Sequence, residues 1–329
     1  MTSYKNDGDC VPVQSMPNGV FIPSNGQMNG HFIYAGDQIC IREMPQQWRP
    51  TKWSREHLDC MKDDLIRFTP KEDPSVTRTR ILMIGLVGAG KSSFYNTIDS
   101  VFRNRITQRA TCGSAEESLT KNYNTYAIKD QSGTDMNFCL CDTRGMEELN
   151  GLHHDDCKYL LDGHIKDHYE FSTEHSVSWW YYNGTPSAND RVHCIAFVID
   201  ATSVDVLSEM DLNKIRTFQK LAKERGILQT VVLTKIDNLC KDVKKDISLA
   251  CSSTNVEEAV QKIADLLGLP RNNVFPVKNY ENETELDDKI SILALAALKQ
   301  MLFFTEDALQ KKKEEAEHEI WLKQPCNIL

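Results

Sequence analysis

The chain has 329 residues, 40 % hydrophobic and 26 % charged, with a formal net charge of −9. That is enough apolar material for a sizeable core, and it excludes a wholly disordered, collagen-like or small disulfide-stapled chain. With 38 Lys and Arg against 47 Asp and Glu, no broad basic face is expected to neutralise nucleic-acid phosphates. The 11 cysteines show no framework spacing and read as small core residues of a reducing compartment. No apolar segment opens the chain and no apolar run reaches about 18 residues, so neither a secretion leader nor a membrane span is expected. A cytoplasmic location follows as an expectation.

Residues 1–46, rich in Gly, Asn, Pro and Ser, carry too few long aliphatics to offset ordering entropy and read as a flexible tail. Within it FIYAGDQICI, at 32–41, has the pattern of a strand or hairpin. A connector helix is expected within 47–74, with Ser54 as N-cap and Leu58, Met61, Leu65 and Ile66 on one face. Pro70 and Pro74 then interrupt it. From there strands and helices alternate. RILMIG at 80–85 is the continuous apolar run of a strand buried on both faces, and a helix opens at Gly90 and Lys91. Two strand-like runs, 122–128 and 136–142, flank Gln131-Ser132-Gly133, turn chemistry for an antiparallel pair. A helix within 152–168, a strand at 192–200, a helix within 208–225 and a strand at 229–235 follow. A helix within 256–267, a short strand at 273–277 and a long helix from about Leu286 complete the pattern. Such alternation predicts βαβ units and an α/β fold in three layers, a mainly parallel sheet flanked by helices.

Gly85-Leu86-Val87-Gly88-Ala89-Gly90-Lys91-Ser92 matches G-x-x-x-x-G-K-[ST], with an apolar strand before it and a helix after it. The glycines let backbone N–H groups close around phosphates. Lys91 is expected to reach the β- and γ-phosphates and Ser92 to ligate Mg²⁺, while Ser93 continues the loop into a helix whose dipole favours the anion. This specifies a P-loop NTPase-type domain, assigned to 75–304, with a charged helical extension at 305–329.

The run FCLC ends in Asp142-Thr143-Arg144-Gly145, a D-x-x-G. Asp142 is placed to hold Mg²⁺ through a water, and the Gly145 N–H to contact a γ-phosphate. TVVL runs into Thr234-Lys235-Ile236-Asp237, of the form [NT]-K-x-D. There Asp237 would accept from N1–H and the exocyclic amine of guanine, a donor pair that adenine lacks. The Lys235 stem would lie along the base. Thr234 replaces the commoner Asn, at the loss of one amide hydrogen bond. Thr120 is assigned as the second Mg²⁺ ligand, with Thr125 and Thr111 as competitors. The loop 277–280 is placed to offer N–H groups to the guanine O6 and to flank the base through Lys278 and Asn279. The expected ligands are therefore GTP or GDP with Mg²⁺, the metal on Ser92, Thr120 and Asp142. Where many small GTPases carry Gln after D-x-x-G this chain has Met146, and Val87 stands where glycine favours hydrolysis. Slow turnover is expected, with Arg144, Glu147 or a partner's group as the catalytic alternatives.

With these residues in place the chain resembles the interferon-induced protein 44 family, 44-like members included, from about residue 48 to about residue 304. The resemblance runs through WRPTKWS, GLVGAGKSSFYNTIDSVF, TKNYNTYAIKD and CDTRGMEE. It continues through GLHHDDCKYLLDGHIKDHYEF, NDRVHCIAFVIDA, VVLTKID and FPVKNYENETELD. It implies a GTPase-type G domain in a cytoplasmic, interferon-inducible protein of antiviral and innate immune responses.

Cys139 and Cys141 share one face of a strand and read as core, in preference to a zinc site with His153, His154 and Cys157. Trp179-Trp180-Tyr181-Tyr182 is expected to cover the sheet or switch region, with a partner-binding patch as the alternative. Cys326-Asn327-Ile328-Leu329 fits C-a-a-X, so Cys326 is a lipidation candidate that alone would give weak membrane association. A protein partner or self-association is expected beside the nucleotide. The two functional classes left open are a nucleotide-dependent switch or assembly module and a nucleotide-stabilised scaffold.

Overall fold

The computed structural model describes residues 30–35, 38–43, 46–111, 122–146, 154–171 and 177–323. It divides into two compact units, Met1–Trp48 and Arg49–Leu329. The first contains an antiparallel hairpin of β1 (Gly30–Ala35) and β2 (Gln38–Glu43), with Phe32 opposite Ile41. This is the FIYAGDQICI run.

In the second unit one six-stranded sheet is built from β3 (Thr79–Ile84), β4 (Asn124–Lys129), β5 (Asp135–Asp142), β6 (Cys194–Asp200), β7 (Leu228–Thr234) and β8 (Val274–Pro276). The order is β4-β5-β3-β6-β7-β8. β4 and β5 pair antiparallel, and the other four pairs are parallel. Ile81, Leu82, Met83 and Ile84 are all buried, as a strand covered on both faces requires. Pro276 sits on β8, the edge strand, where its missing N–H costs no ladder bond. β3 lies between β5 and β6, so the chain leaves it first toward one edge of the sheet and later toward the other. The carboxyl ends beside β3 are therefore a topological switch point, where open α/β sheets form their ligand clefts.

The helices are α1 (Arg55–Ile66), α2 (Lys91–Arg103), α3 (His154–Asp162), α4 (Glu209–Glu224), the short α5 (Lys241–Lys245), α6 (Thr254–Leu267) and α7 (Asp288–Lys323). α1 and α2 pack on α7; α3 packs on α4, and Gln219 Nε2 donates to Leu267 O (2.9 Å) to join α4 to α6. The sheet is thus held between two helical layers. Ser54 caps α1 by accepting from the His57 N–H at 3.2 Å, and Ser208 caps α4 by accepting from Asp211 N at 3.1 Å, each satisfying one orphan donor. α7 is continuous across residue 304: Thr305 and Leu309 remain buried, and Lys311 begins the solvated part.

Two expectations change. Leu58, Met61 and Leu65 are buried as expected, but Ile66 is 43 % exposed. At 100° per residue it falls about 80° from Leu58 and so off the stripe that faces α7. The aromatic cluster also divides. Tyr182 stacks on His164 (5.1 Å) and meets Tyr159 edge-on (5.5 Å), and Tyr181 packs on Tyr169 (5.7 Å). Trp179 and Trp180 stack on each other at 3.6 Å and stand 69 % and 67 % exposed. They cover nothing.

Candidate functional site

The loop between β3 and α2 turns through left-handed backbone at Gly88 (φ +72°) and Gly90 (φ +95°), which side chains resist. Lys91 Nζ donates to Gly85 O (2.9 Å) and Leu86 O (3.0 Å). Those two bonds hold the ammonium against the loop, so its position does not depend on a flexible stem. Ser92 Oγ donates to Asp142 Oδ2 at 2.5 Å. Asp142 is wholly buried, and burial pushes its carboxyl above the usual range while the Lys91 charge and the Ser92 bond pull it down. Its Oδ1 is buried with no hydrogen-bond partner among the described residues. A buried carboxylate oxygen without a donor, beside a serine hydroxyl, is a donor set that suits a hard cation. Ser92 and Asp142 are therefore the residues fitted to hold Mg²⁺.

The D-x-x-G segment lies directly on the loop. Thr143 Oγ1 donates to Met83 O (3.0 Å), and the Met146 N–H donates to Gly85 O (3.1 Å). Gly145 approaches so closely that an added Cβ would lie 2.4 Å from Val87 Cγ2 and 2.9 Å from Val87 N. Met146 is 0 % exposed, and Lys214 Nζ on α4 donates to its carbonyl (2.9 Å). Arg144 is half-buried. Thr120, Glu147 and Cys326 lie outside the described residues. The competitor Thr125 pairs with Cys141, and its hydroxyl is 3.3 Å from Arg80 Nη1, so it faces away from Asp142. Thr111 is exposed.

The third motif reaches the same place from the other side. Thr234 Oγ1 donates to Ala89 O at 2.7 Å, so the hydroxyl ties this strand end to the phosphate loop without the amide of an asparagine. Lys235 has left-handed backbone (φ +56°), and its ammonium pairs with Asp200 Oδ2 at 2.7 Å. The Asp237 side chain is half-buried and takes no hydrogen bond among the described residues. Asn279 Nδ2 donates to Gly90 O (3.2 Å), and Lys278 pairs with Glu283 (2.6 Å). Gly90 is the meeting point: a Cβ there would be 3.0 Å from Asn279 Nδ2 and 3.4 Å from Thr234 Cγ2. A cavity of about 200 Å³ lies beside the loop, bounded by Leu86, Val87, Leu207 and Ile215 and, at its polar end, by Asp200 and Lys235.

Three contributors are not in the motif reading. Asn96 on α2 accepts from Arg109 N (3.0 Å) and Ala110 N (2.9 Å) and donates to Ala110 O (2.8 Å), anchoring the segment after α2. Thr97 Oγ1 accepts from Tyr280 N (3.0 Å) and anchors the loop after β8. Asp200 carries the one available signal, a carboxylate closing the apolar run of β6 at the sheet's ligand-binding end.

The septin family model matches residues 77–268, more than half of the chain. Interferon-induced protein 44-like of Homo sapiens is 37 % identical over 267 residues, covering 78 % of this chain and 58 % of that protein. Interferon-induced protein 44 of Homo sapiens is 35 % identical over 239 residues, 71 % of this chain and 54 % of that protein. The Mus musculus protein of the same name is 34 % identical, with 71 % and 56 % covered. Among solved structures, Toc33 of Arabidopsis thaliana aligns with a TM-score of 0.44 at 15 % identity, over 78 % of this chain and 92 % of that one. The chain thus spans little more than half the length of the curated relatives it matches. With its six-stranded, mainly parallel sheet and its strand–loop–helix at 79–103, the chain belongs to the G-domain family that the septin model describes and, within it, to the interferon-induced protein 44 family.

Proposed function

We propose that this domain binds GTP and GDP with Mg²⁺ and works as a slow nucleotide-dependent switch or assembly module in the interferon-linked innate immune response of the cytoplasm. The observation that carries the reading is the convergence, on Ala89 and Gly90 of the phosphate loop, of Thr234, from T-K-x-D, and Asn279, from the loop after β8. Lys91 and the loop amides would neutralise phosphate, and Mg²⁺, when bound, adds the charge that an acidic chain otherwise lacks. Asp237 would read the guanine edge. The immune setting is supported by the names of the relatives alone.

Slow hydrolysis is supported by two side chains. Met146 is buried and cannot orient a water, and Val87 fills the space against Gly145. Arg144, Glu147 or a group from a partner remains as the catalytic alternative. A second reading, a scaffold whose nucleotide is structural, is favoured by the exposed Trp179 and Trp180, a patch of the kind that anchors interfaces.

Titration of the purified chain with GDP, a GTP analogue and ATP tests the proposal. Guanine nucleotides are expected to bind more tightly than ATP, and Lys91→Ala to weaken them by about thirtyfold or more through the lost charge-assisted bonds. Asp237→Asn is expected to shift preference from guanine toward xanthine nucleotides by about two orders of magnitude. Tighter ATP than GTP binding would overturn the reading. Lys91→Ala abolishing partner binding would mark a switch, and unchanged binding a scaffold.

A further inference from the structure

We infer that Asp200 is a positioning residue for base recognition, holding the Lys235 side chain where it can lie along the guanine ring. The inference rests on the guanine-nucleotide reading above and adds a specificity-determining carboxylate that lies in none of the three motifs.

Asp200 is the last residue of β6 and stands opposite Thr234, the last residue of β7, in the parallel ladder. Lys235 follows immediately, and its left-handed backbone turns the chain out of the strand. A lysine on a four-carbon stem has many rotamers, and fixing one costs entropy at the moment of binding. Here the cost is met before the ligand arrives. Lys235 Nζ lies 2.7 Å from Asp200 Oδ2, with the Asp200 side chain 18 % and that of Lys235 41 % exposed. Asp200 is itself held, because Oδ1 accepts from Thr202 N (2.9 Å) and Thr202 Oγ1 (2.7 Å). The two oxygens thus have separate tasks, one capping the turn after β6 and the other gripping the ammonium.

The grip has a direction. Thr234 is pinned to Ala89 O, so the Lys235 backbone is tied to the phosphate loop while its charge is tied to β6. The aliphatic stem spans between these two points, along the cavity that Gly88, Ala89, Asp200 and Lys235 line. An ammonium neutralised by Asp200 also leaves Asp237, two residues on, as the carboxylate free of cationic competition for the base edge. Asp200 touches neither base nor phosphate in this arrangement and acts through Lys235.

A double-mutant cycle tests this, with fluorescent GDP and tripolyphosphate as probes on the full chain. Asp200→Ala is expected to weaken GDP by about fivefold to tenfold, the size of a partly buried ion pair. Tripolyphosphate, which has no base, should bind unchanged. Asp200→Asn, whose single amide oxygen can keep the Thr202 bonds while its NH2 faces the ammonium, should show most of the same loss for GDP with the turn after β6 intact. In a Lys235→Met background, where the stem remains and the charge is gone, Asp200→Ala should have no further effect. Equal losses for GDP and tripolyphosphate would show that Asp200 supports only the turn after β6 and would overturn the inference, as would a full additive loss in the Lys235→Met background. Wild-type affinity for GDP in Asp200→Ala would overturn the inference alone. Absence of guanine-nucleotide binding by the wild type would overturn the nucleotide reading and the inference with it.

Discussion

Residue chemistry at the phosphate loop is dominated by close approach. Gly145 has no room for a side chain: its added Cβ would meet not only the end of Val87 but the Val87 backbone nitrogen at 2.9 Å and Cα at 3.1 Å. Gly145→Ala must therefore push the D-x-x-G segment off the loop and break the Met146 N–H bond to Gly85 O. The expected outcome is a stability loss of about 1–3 kcal/mol, typical of overpacking, together with weaker nucleotide binding, read by thermal melting with and without GDP. Adding Val87→Ala should restore part of the loss, since it removes the side-chain clash but not the backbone one. The glycines, Lys91 and Asp142 are legible as positions because each belongs to a local pattern, whereas the meeting of Asp142 with Ser92, 50 residues away, is made by the fold. The burial of Met146 was not legible, since the sequence shows only that it cannot act as a glutamine.

At the scale of elements, the start of the central strands is tied by a histidine. His193, just before β6, accepts from Arg80 N through Nδ1 (3.0 Å), and its own N–H donates to Arg80 O (3.0 Å), locking β6 to β3. Burial, and then the nearby Lys312 and Arg80 charges, lowers its pKa from 6.5 to about 4. As pH falls below about 6.5 the unfolded chain takes up a proton that the folded chain refuses until about pH 4. Stability is thus lost on acidification through that window, by up to about 3 kcal/mol. Urea denaturation at pH 7 and pH 5 should show this slope in the wild type and a flatter one in His193→Asn, whose amide oxygen can accept the same bond. The strands themselves were readable from apolar runs, and the turn at 131–133 from its residues. The tie between them joins positions 113 residues apart, which no local pattern records.

The whole molecule extends the G-domain sheet with a helical layer from both flanks of the 75–304 segment. α1, read from sequence as a connector, packs along α7; Lys299 Nζ pairs with Asp64 (2.5 Å) and Arg55 with Asp288 (2.7 Å). Arg49 donates to Val274 O and Arg271 O, each at 2.8 Å, fastening the approach to α1 onto the region of the edge strand β8. Leu65, on the buried face of α1, is 1 % exposed, so Leu65→Ala should cost about 3 kcal/mol in chemical denaturation. A change below about 0.5 kcal/mol would mean that α1 is no part of the folding unit.

The sequence by itself determined the strand–loop–helix, the alternation of strands and helices, and the positions of the G-x-x-x-x-G-K-S, D-x-x-G and T-K-x-D patterns. Those signals are local: an apolar run, glycine backbone freedom and fixed spacing act over a few residues. Only the tertiary structure decided the pairing of Asp200 with Lys235, the anchoring of 109–110 by Asn96, the meeting of Gly90, Thr234 and Asn279, and the split of the aromatic cluster into tyrosines that pack on neighbouring rings and tryptophans that stack on each other. Each depends on strand order and register, which bring together residues distant along the chain, and burial is settled only when those surfaces meet.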